Sequence, residues 1–348
     1  MKQREYCILK LLNVPGLGNA KVKKILDHCH HKGISIKDFI EDIIRGDRKT
    51  HLLTPSQIDS LGDRNVRLED QWARLKEQNI EVLAVGDVNY PNRMISALNN
   101  KAPVLIFAKG DIGLLTKPCL GFCGSRKASE KGLKTAWDCA DQMARKGVNI
   151  ISGYASGVDM TAHKAALEAG GTTTLILAEG ILNFKIKRGL KDVFDESRVL
   201  ILSEFLPGIP WSVRNAMQRN STICSLSQVM ILIEAEEKGG SISAGKTSLK
   251  MGRPLFAPVY EGMPSTASGN RILLSQGAHG LKKSVKTMRA NLTPIEDILF
   301  HGEEKLIPYA TSILSEEPQL ALFEDETSYR NVKNDIEGRK YLCKEVVK

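Results

Sequence analysis

Aromatic residues are scarce, 5% of the 348 residues, which argues against a ligand surface built mainly as an aromatic stacking platform. Cysteine occurs seven times but never as a CxxC pair. The sequence therefore offers neither a zinc ribbon nor a disulfide framework, and its thiols suit a reducing cytoplasm. No apolar run reaches the roughly 18 residues of a membrane span, and the opening MKQREYCILKLLNV is too charged for a signal peptide. A GxGxxG turn at a strand end is missing, which counts against a nicotinamide or flavin dinucleotide. His28, Cys29, His30 and His31 stand in a row, yet neighbours on a helix point in different directions and cannot converge on one ion. Neither a metal nor another cofactor is expected.

What is present is positive charge. A formal net charge of +9 and a pI near 9.1 favour a polyanionic partner, because each Lys or Arg laid on a phosphate releases a counterion. Residues 1–79 read as helices: Lys21 to Cys29, Ile36 to Ile44, and a long polar helix ending near Gln78. From Ile80 the texture changes to short apolar runs, VLAV, VLIFA, CLGFC, VNIIS, TTLILA, VLILSEF, VMILIEA and PLFAPV, with helical patterns between them. Near-continuous apolar strands alternating with helices predict a Rossmann-like, doubly wound α/β fold, its sheet mainly parallel and covered on both faces. The expected division is a helical domain over 1–79, the sheet domain over 80–285 and a polar tail over 286–348.

The turn Val14-Pro15-Gly16-Leu17-Gly18 before a Lys-rich segment has the pattern of a helix-hairpin-helix. Gly16 and Gly18 would expose backbone amides at the start of the next helix, with Lys21 and Lys23 adding charge; either a phosphate or a neighbouring domain would suit that surface. In the sheet region, ligands are expected where loops leave the carboxyl ends of the strands. Gly124-Ser125-Arg126 follows CLGFC, and Gly153-Tyr154-Ala155-Ser156-Gly157-Val158-Asp159 follows VNIIS, with His163 four residues on. Tight turning accounts for the glycines. It does not account for an arginine planted in the first such turn, where a guanidinium fork can grip an anion.

The runs GSRKASEKG, SGYASGVDMTAHKAALEAGG, LSEFLPG, QRNSTICSLS, GGSISAGKTSLKMGRPLFAPV and GNRILLSQGA resemble, in order and spacing, the DprA/Smf family. The resemblance spans about residues 5–283, and SGxAxGxDxxAH is its most specific part. It implies a cytoplasmic protein that binds single-stranded DNA and helps load a RecA-type recombinase in recombination or natural transformation, and it implies a homodimer. It places the DNA groove on Gly124, Ser125 and Arg126, on Gly153, Gly157, Asp159 and His163, on Arg219 and Asn220, and on Gly252–Arg253 and Gly269–Asn270–Arg271. A basic residue after the fourth family strand falls on Lys185, Lys187 or Arg188. Ser156 and Ser221 stand where the family commonly carries cations, and the winged helix of many members is not recognisable after 283.

Two enzyme readings compete. Gly240 to Thr247 satisfies GxxxxGK[ST], the pattern of an ATP-binding loop. Such a loop would delay its helix to Lys246, leaving about six residues before Gly252-Arg253-Pro254 ends it, and no later strand ends in an aspartate to hold magnesium. The resemblance instead starts a helix near Ser241 and leaves Lys246 able to touch phosphate. The stretch EAEEKGGSISAG lacks the PGGxGTxxE signature of related phosphoribohydrolases. Asp159 and His163 share a helical face as a conceivable acid–base pair, but an N-capping Asp with a satisfied His is the expected account. A binding protein is expected rather than an enzyme; a partner-dependent regulator acting in defence against foreign DNA is a third reading.

Overall fold

The computed structural model describes residues 3–260, 262, 264–302 and 319–320. Five helices come first: α1 (Gln3–Leu12), α2 (Asn19–Lys32), α3 (Ile36–Arg45), α4 (Pro55–Gly62) and α5 (Val66–Glu77). Local capping sets their boundaries, with Ser35 and Thr54 accepting hydrogen bonds from the backbone amides of Asp38 and Gln57. The long polar helix expected to end near Gln78 is two helices, because Asn65 breaks the run and caps α5 by accepting from the Leu68 amide. The apolar faces of these helices, including Ile8, Val22, Phe39, Leu61 and Leu75, form one core with Val82, Leu105, Phe107 and Ile201 of the sheet.

The sheet has nine strands: β1 (Glu81–Ala84), β2 (Leu105–Gly110), β3 (Cys119–Cys123), β4 (Asn149–Gly153), β5 (Thr173–Ile176), β6 (Val199–Ser203), β7 (Val229–Leu232), β8 (Leu255–Pro258) and β9 (His279–Leu281). Their order is β1-β2-β6-β5-β4-β3-β7-β8-β9. From β6 to β9 every pairing is parallel, whereas β2 meets β6 and β1 meets β2 antiparallel. All eight apolar runs are strands; β9 is short and half-exposed and carries no such signal. The connecting helices are α6 (Asn92–Leu98), α7 (Glu130–Arg145), α8 (Val158–Glu168), α9 (Val213–Leu226), α10 (Gly240–Lys250) and α11 (Ser268–Ser275). They cover both faces, which is why β3 and β4 are buried at every residue.

After β3 the chain builds β4, β5 and β6 outward on one side, then returns to place β7 and β8 on the other. This reversal opens a crevice at the carboxyl ends of β3 and β7, the position where doubly wound sheets hold ligands.

The polar tail expected from 286 begins later. A further helix, α12 (Thr293–His301), buries Ile295, Ile298 and Leu299 in the same core as Ala136 and Ala140 of α7. Arg289 pairs with Asp138 and with Asp141 across that junction. Its four apolar residues, Ile295, Ile298, Leu299 and Phe300, are interrupted by Glu296 and Asp297, so this helix is inconspicuous in sequence. The remainder of the expected tail, including the lack of a winged helix, lies outside the described residues. Among the described residues no helix is long and apolar enough to cross a membrane, no group of His, Cys, Asp or Glu is arranged to hold a metal, and the described cysteines are buried free thiols.

Candidate functional site

Two neighbouring cavities lie along the carboxyl rim. One, about 410 Å³, sits in the crevice between the loops after β3 and β7, lined by Gly124 to Lys127, by Glu236 and Lys238 to Ser241, and by Arg219 and Asn220 of α9. The other, about 450 Å³, is lined by Tyr154 to Gly157 after β4, by Glu179 and Lys187, and by Trp211. Arg126 and Arg219 line both, so two guanidinium groups stand at the boundary.

The loop carrying Arg126 is held rigidly. The Ser125 amide donates to the Glu234 carbonyl at 2.8 Å, and the Ser125 hydroxyl accepts from the Lys127 amide at 3.0 Å. Ser129 caps α7 while its own amide and hydroxyl donate to the buried Glu234 carboxylate at 2.8 and 2.5 Å. Gly157, with φ +78°, lets the second loop lie against the first: a Cβ there would stand 2.5 Å from the Ser125 carbonyl oxygen and 2.7 Å from that of Arg126. The result is an exposed Arg126 side chain on a fixed base. Among the described residues it has no carboxylate partner, and its guanidinium carbon lies 5.6 Å from the Trp211 ring centroid.

Arg219 is different in kind. It is 6% exposed, and a Cβ on Gly153 would fall within 1.4 Å of its Nη1, so Gly153 is the floor on which the guanidinium rests. Its Nη1 lies 3.6 Å from the Asp159 carboxylate, and its Nε has no hydrogen-bond partner among the described residues. Burial pulls its pKa below the usual arginine value, against the opposing pull of Asp159. Asp159 is the second residue of α8 and not its N-cap, which is Gly157; its carboxylate accepts from the Ala155 amide at 3.3 Å. This pair shapes the boundary between the cavities from below, while Asn220 lines the first cavity and donates to the Gly240 carbonyl at 3.3 Å.

Lys187 is the member of the Lys185, Lys187, Arg188 trio that lines a cavity. Its ammonium donates to the Tyr154 carbonyl and sits 4.2 Å from the Tyr154 ring centroid. Burial lowers its pKa, partly offset by Glu179, whose own carboxyl is raised by burial. Lys185 and Arg188 are exposed beside it.

Several sequence-predicted contacts lie elsewhere. His163 is fully buried: the Gly153 carbonyl can only accept, so Nε2 donates to it at 2.5 Å, and Nδ1 faces the Thr173 hydroxyl at 2.7 Å. Desolvation lowers its pKa to about 4, so it is a neutral strut and reaches no ligand. Asn270 is also fully buried, accepting from the Ala235 amide at 3.1 Å and donating to the Ile233 carbonyl at 2.9 Å to fix the end of β7. Arg253 precedes β8 at the amino edge of the sheet, its Nη2 donating to the Ser225 carbonyl at 3.2 Å, on the side away from the cavities. Lys246 sits inside α10 and Arg271 on α11, both exposed but lining neither cavity. Because α10 begins at Gly240, residues 240–247 form helical turns and no phosphate cradle. In the N-terminal hairpin, Gly16, Gly18 and Lys21 are exposed. Lys23 leans inward, donating to the Asn99 carbonyl at 3.4 Å, while Asn19 accepts from the Val104 amide at 3.0 Å, so α2 packs against the sheet domain.

Trp211, Lys127 and Lys238 went unassigned in sequence. Trp211 carried a detectable signal, a large aromatic in the proline-flanked run LPGIPWS ahead of a serine N-cap.

A family model for DNA recombination-mediator protein A matches residues 81–292. The DNA processing protein DprA of Streptococcus pneumoniae is 29% identical over 282 residues, covering 80% of this chain and 95% of that one. That of Bacillus subtilis is 31% identical over 212 residues, covering 60% and 70%. The X-ray structure of the Streptococcus pneumoniae protein is similar with a TM-score of 0.61 at 27% identity, covering 80% of this chain and 95% of that one. A structure of DNA processing protein A from Helicobacter pylori, described for its single-stranded DNA binding mode, gives a TM-score of 0.50 at 26% identity, covering 58% and 90%. With the switch-point crevice and the Gly-Ser-Arg loop in place, this chain belongs to the DNA recombination-mediator protein A family.

Proposed function

We propose that the chain binds single-stranded DNA across the two rim cavities, with Arg126 as its leading phosphate contact. One observation carries this reading: an exposed arginine on a rigid loop, without a carboxylate partner among the described residues, stands where both cavities meet. A guanidinium in that position can take two phosphate oxygens at once. Lys127 and Lys238 flank it in the first cavity and Lys187 in the second. Glu236 and Asp159 in the first cavity and Glu179 in the second are the opposing charges; Asp159 already faces Arg219, and burial raises the pKa of Glu179. The single-stranded DNA binding named for the Helicobacter pylori relative supports the same partner.

On this reading the protein is a cytoplasmic binding protein and not an enzyme. It covers exposed or incoming single strands and assists a RecA-type recombinase in recombination or transformation, acting as a homodimer. The domain division on which it rests is a helical segment over 1–79, a binding domain from 80 that α12 extends beyond the expected 285, and a tail. No observation favours the nucleotide-hydrolysing alternative, since a helix occupies the place of its loop, or the defence regulator. Purified protein is titrated with a labelled oligonucleotide at two salt concentrations while ATP hydrolysis is followed. Tight binding that collapses at high salt, with no turnover, is expected; ATP turnover without oligonucleotide binding would overturn the proposal.

A further inference from the structure

Beside the cationic boundary runs an apolar shelf. Trp211 is 48% exposed, Val213 68% and Met217 40%. Val213 and Met217 are four apart on α9 and so share a face; both line the first cavity, and Trp211 lines the second. The shelf thus borders both cavities and lies against Arg126 through the Trp211 ring. Exposed tryptophan is costly to leave in water, and an indole with one face on a guanidinium keeps the other available. The phosphates of a strand have their partners in Arg126, Lys127 and Lys238, while its bases are flat apolar surfaces needing a place to stack.

Resting on the single-strand reading above, we propose that Trp211 is the residue that selects single strands over duplex: it stacks on a base while Arg126 holds the adjacent phosphate. In a duplex each base face is already covered by its neighbours, so the ring gains nothing, whereas an unpaired base can leave its stack and settle on it. Phosphate contacts, by contrast, serve single strand, duplex and abasic backbone alike. Selectivity therefore follows the indole and affinity follows the arginine.

The test measures binding of three labelled probes of equal length: oligo-dT, the same backbone with abasic residues throughout, and a duplex. Trp211→Ala is expected to weaken oligo-dT binding about tenfold, with little change on the abasic strand or the duplex, so that the preference for single strand collapses. Trp211→Phe, which keeps a stacking face, should restore most of it, and indole fluorescence of the wild type should be quenched by oligo-dT and not by the abasic strand. Arg126→Ala should weaken all three probes together. If Trp211→Ala weakens oligo-dT and abasic strand equally, or weakens neither while Arg126→Ala weakens both, base stacking is refuted and strand binding stands. If Arg126→Ala alters none of the three, the strand-binding reading itself is refuted.

Discussion

Replacing Gly157 by alanine tests how the two rim loops are held together. Two separable costs follow from the geometry. The backbone at Gly157 has φ +78° and ψ −129°, a region that L residues avoid at a cost of about 1–3 kcal/mol. The new methyl would also stand 2.5 Å from the Ser125 carbonyl oxygen and 2.8 Å from the Arg126 carbonyl carbon. Those are backbone atoms that cannot swing aside, so the loops must part, at about 1–3 kcal/mol for an overpacked contact. Gly147 supplies the control: its φ is +80°, but a Cβ there meets nothing within 4 Å among the described residues. Gly147→Ala should therefore show strain alone, and Gly157→Ala about 1–3 kcal/mol more in urea unfolding. Only Gly157→Ala should also weaken oligonucleotide binding, because Arg126 sits on the displaced loop. Equal destabilisation by the two substitutions, with binding unchanged in both, would refute the claim that Gly157 sets the position of Arg126.

Gly153→Ala places a methyl where the Arg219 guanidinium rests, and should lower stability by about 1–3 kcal/mol and narrow the cavities; an unaltered unfolding curve would contradict it. Asn270→Ala leaves the Ala235 amide without its partner, a loss of about 1–3 kcal/mol in denaturant unfolding with oligonucleotide affinity retained. His163 should make stability depend on pH. Its folded pKa of about 4 lies below the ordinary 6.5, so the unfolded chain takes up the proton first. Its contribution is complete above pH 6.5, falls by about 3 kcal/mol between 6.5 and 4, and levels off below. His163→Gln should flatten that stretch of the profile relative to the wild type.

The sheet was legible because parallel strands covered on both faces read as near-continuous apolar runs, as CLGFC and the VMILI of VMILIEA do. Sequence could not show that β2 alone runs against the other strands, since an apolar run carries no direction. Nor could it separate α4 from α5, where a three-residue break hides in polar text. At the site, Arg126 stood out because tight turning does not call for an arginine. His163 and Asn270 read as contacts for a common reason: a polar residue in a motif looks like a ligand group until burial is known, and both are fully buried and bond the backbone beneath the rim. Arg219 does line both cavities, though from a buried position. Trp211 was passed over because its exposure depends on how the loop before α9 crosses the rim.

The most direct measurement is the affinity of wild type and Arg126→Ala for one oligonucleotide across a series of salt concentrations. The account predicts that log Kd rises steeply with log salt, and that the variant binds at least about tenfold more weakly with its slope reduced by about one, the signature of a single lost phosphate contact. An Arg126→Ala protein with the wild-type affinity and the wild-type slope would contradict it.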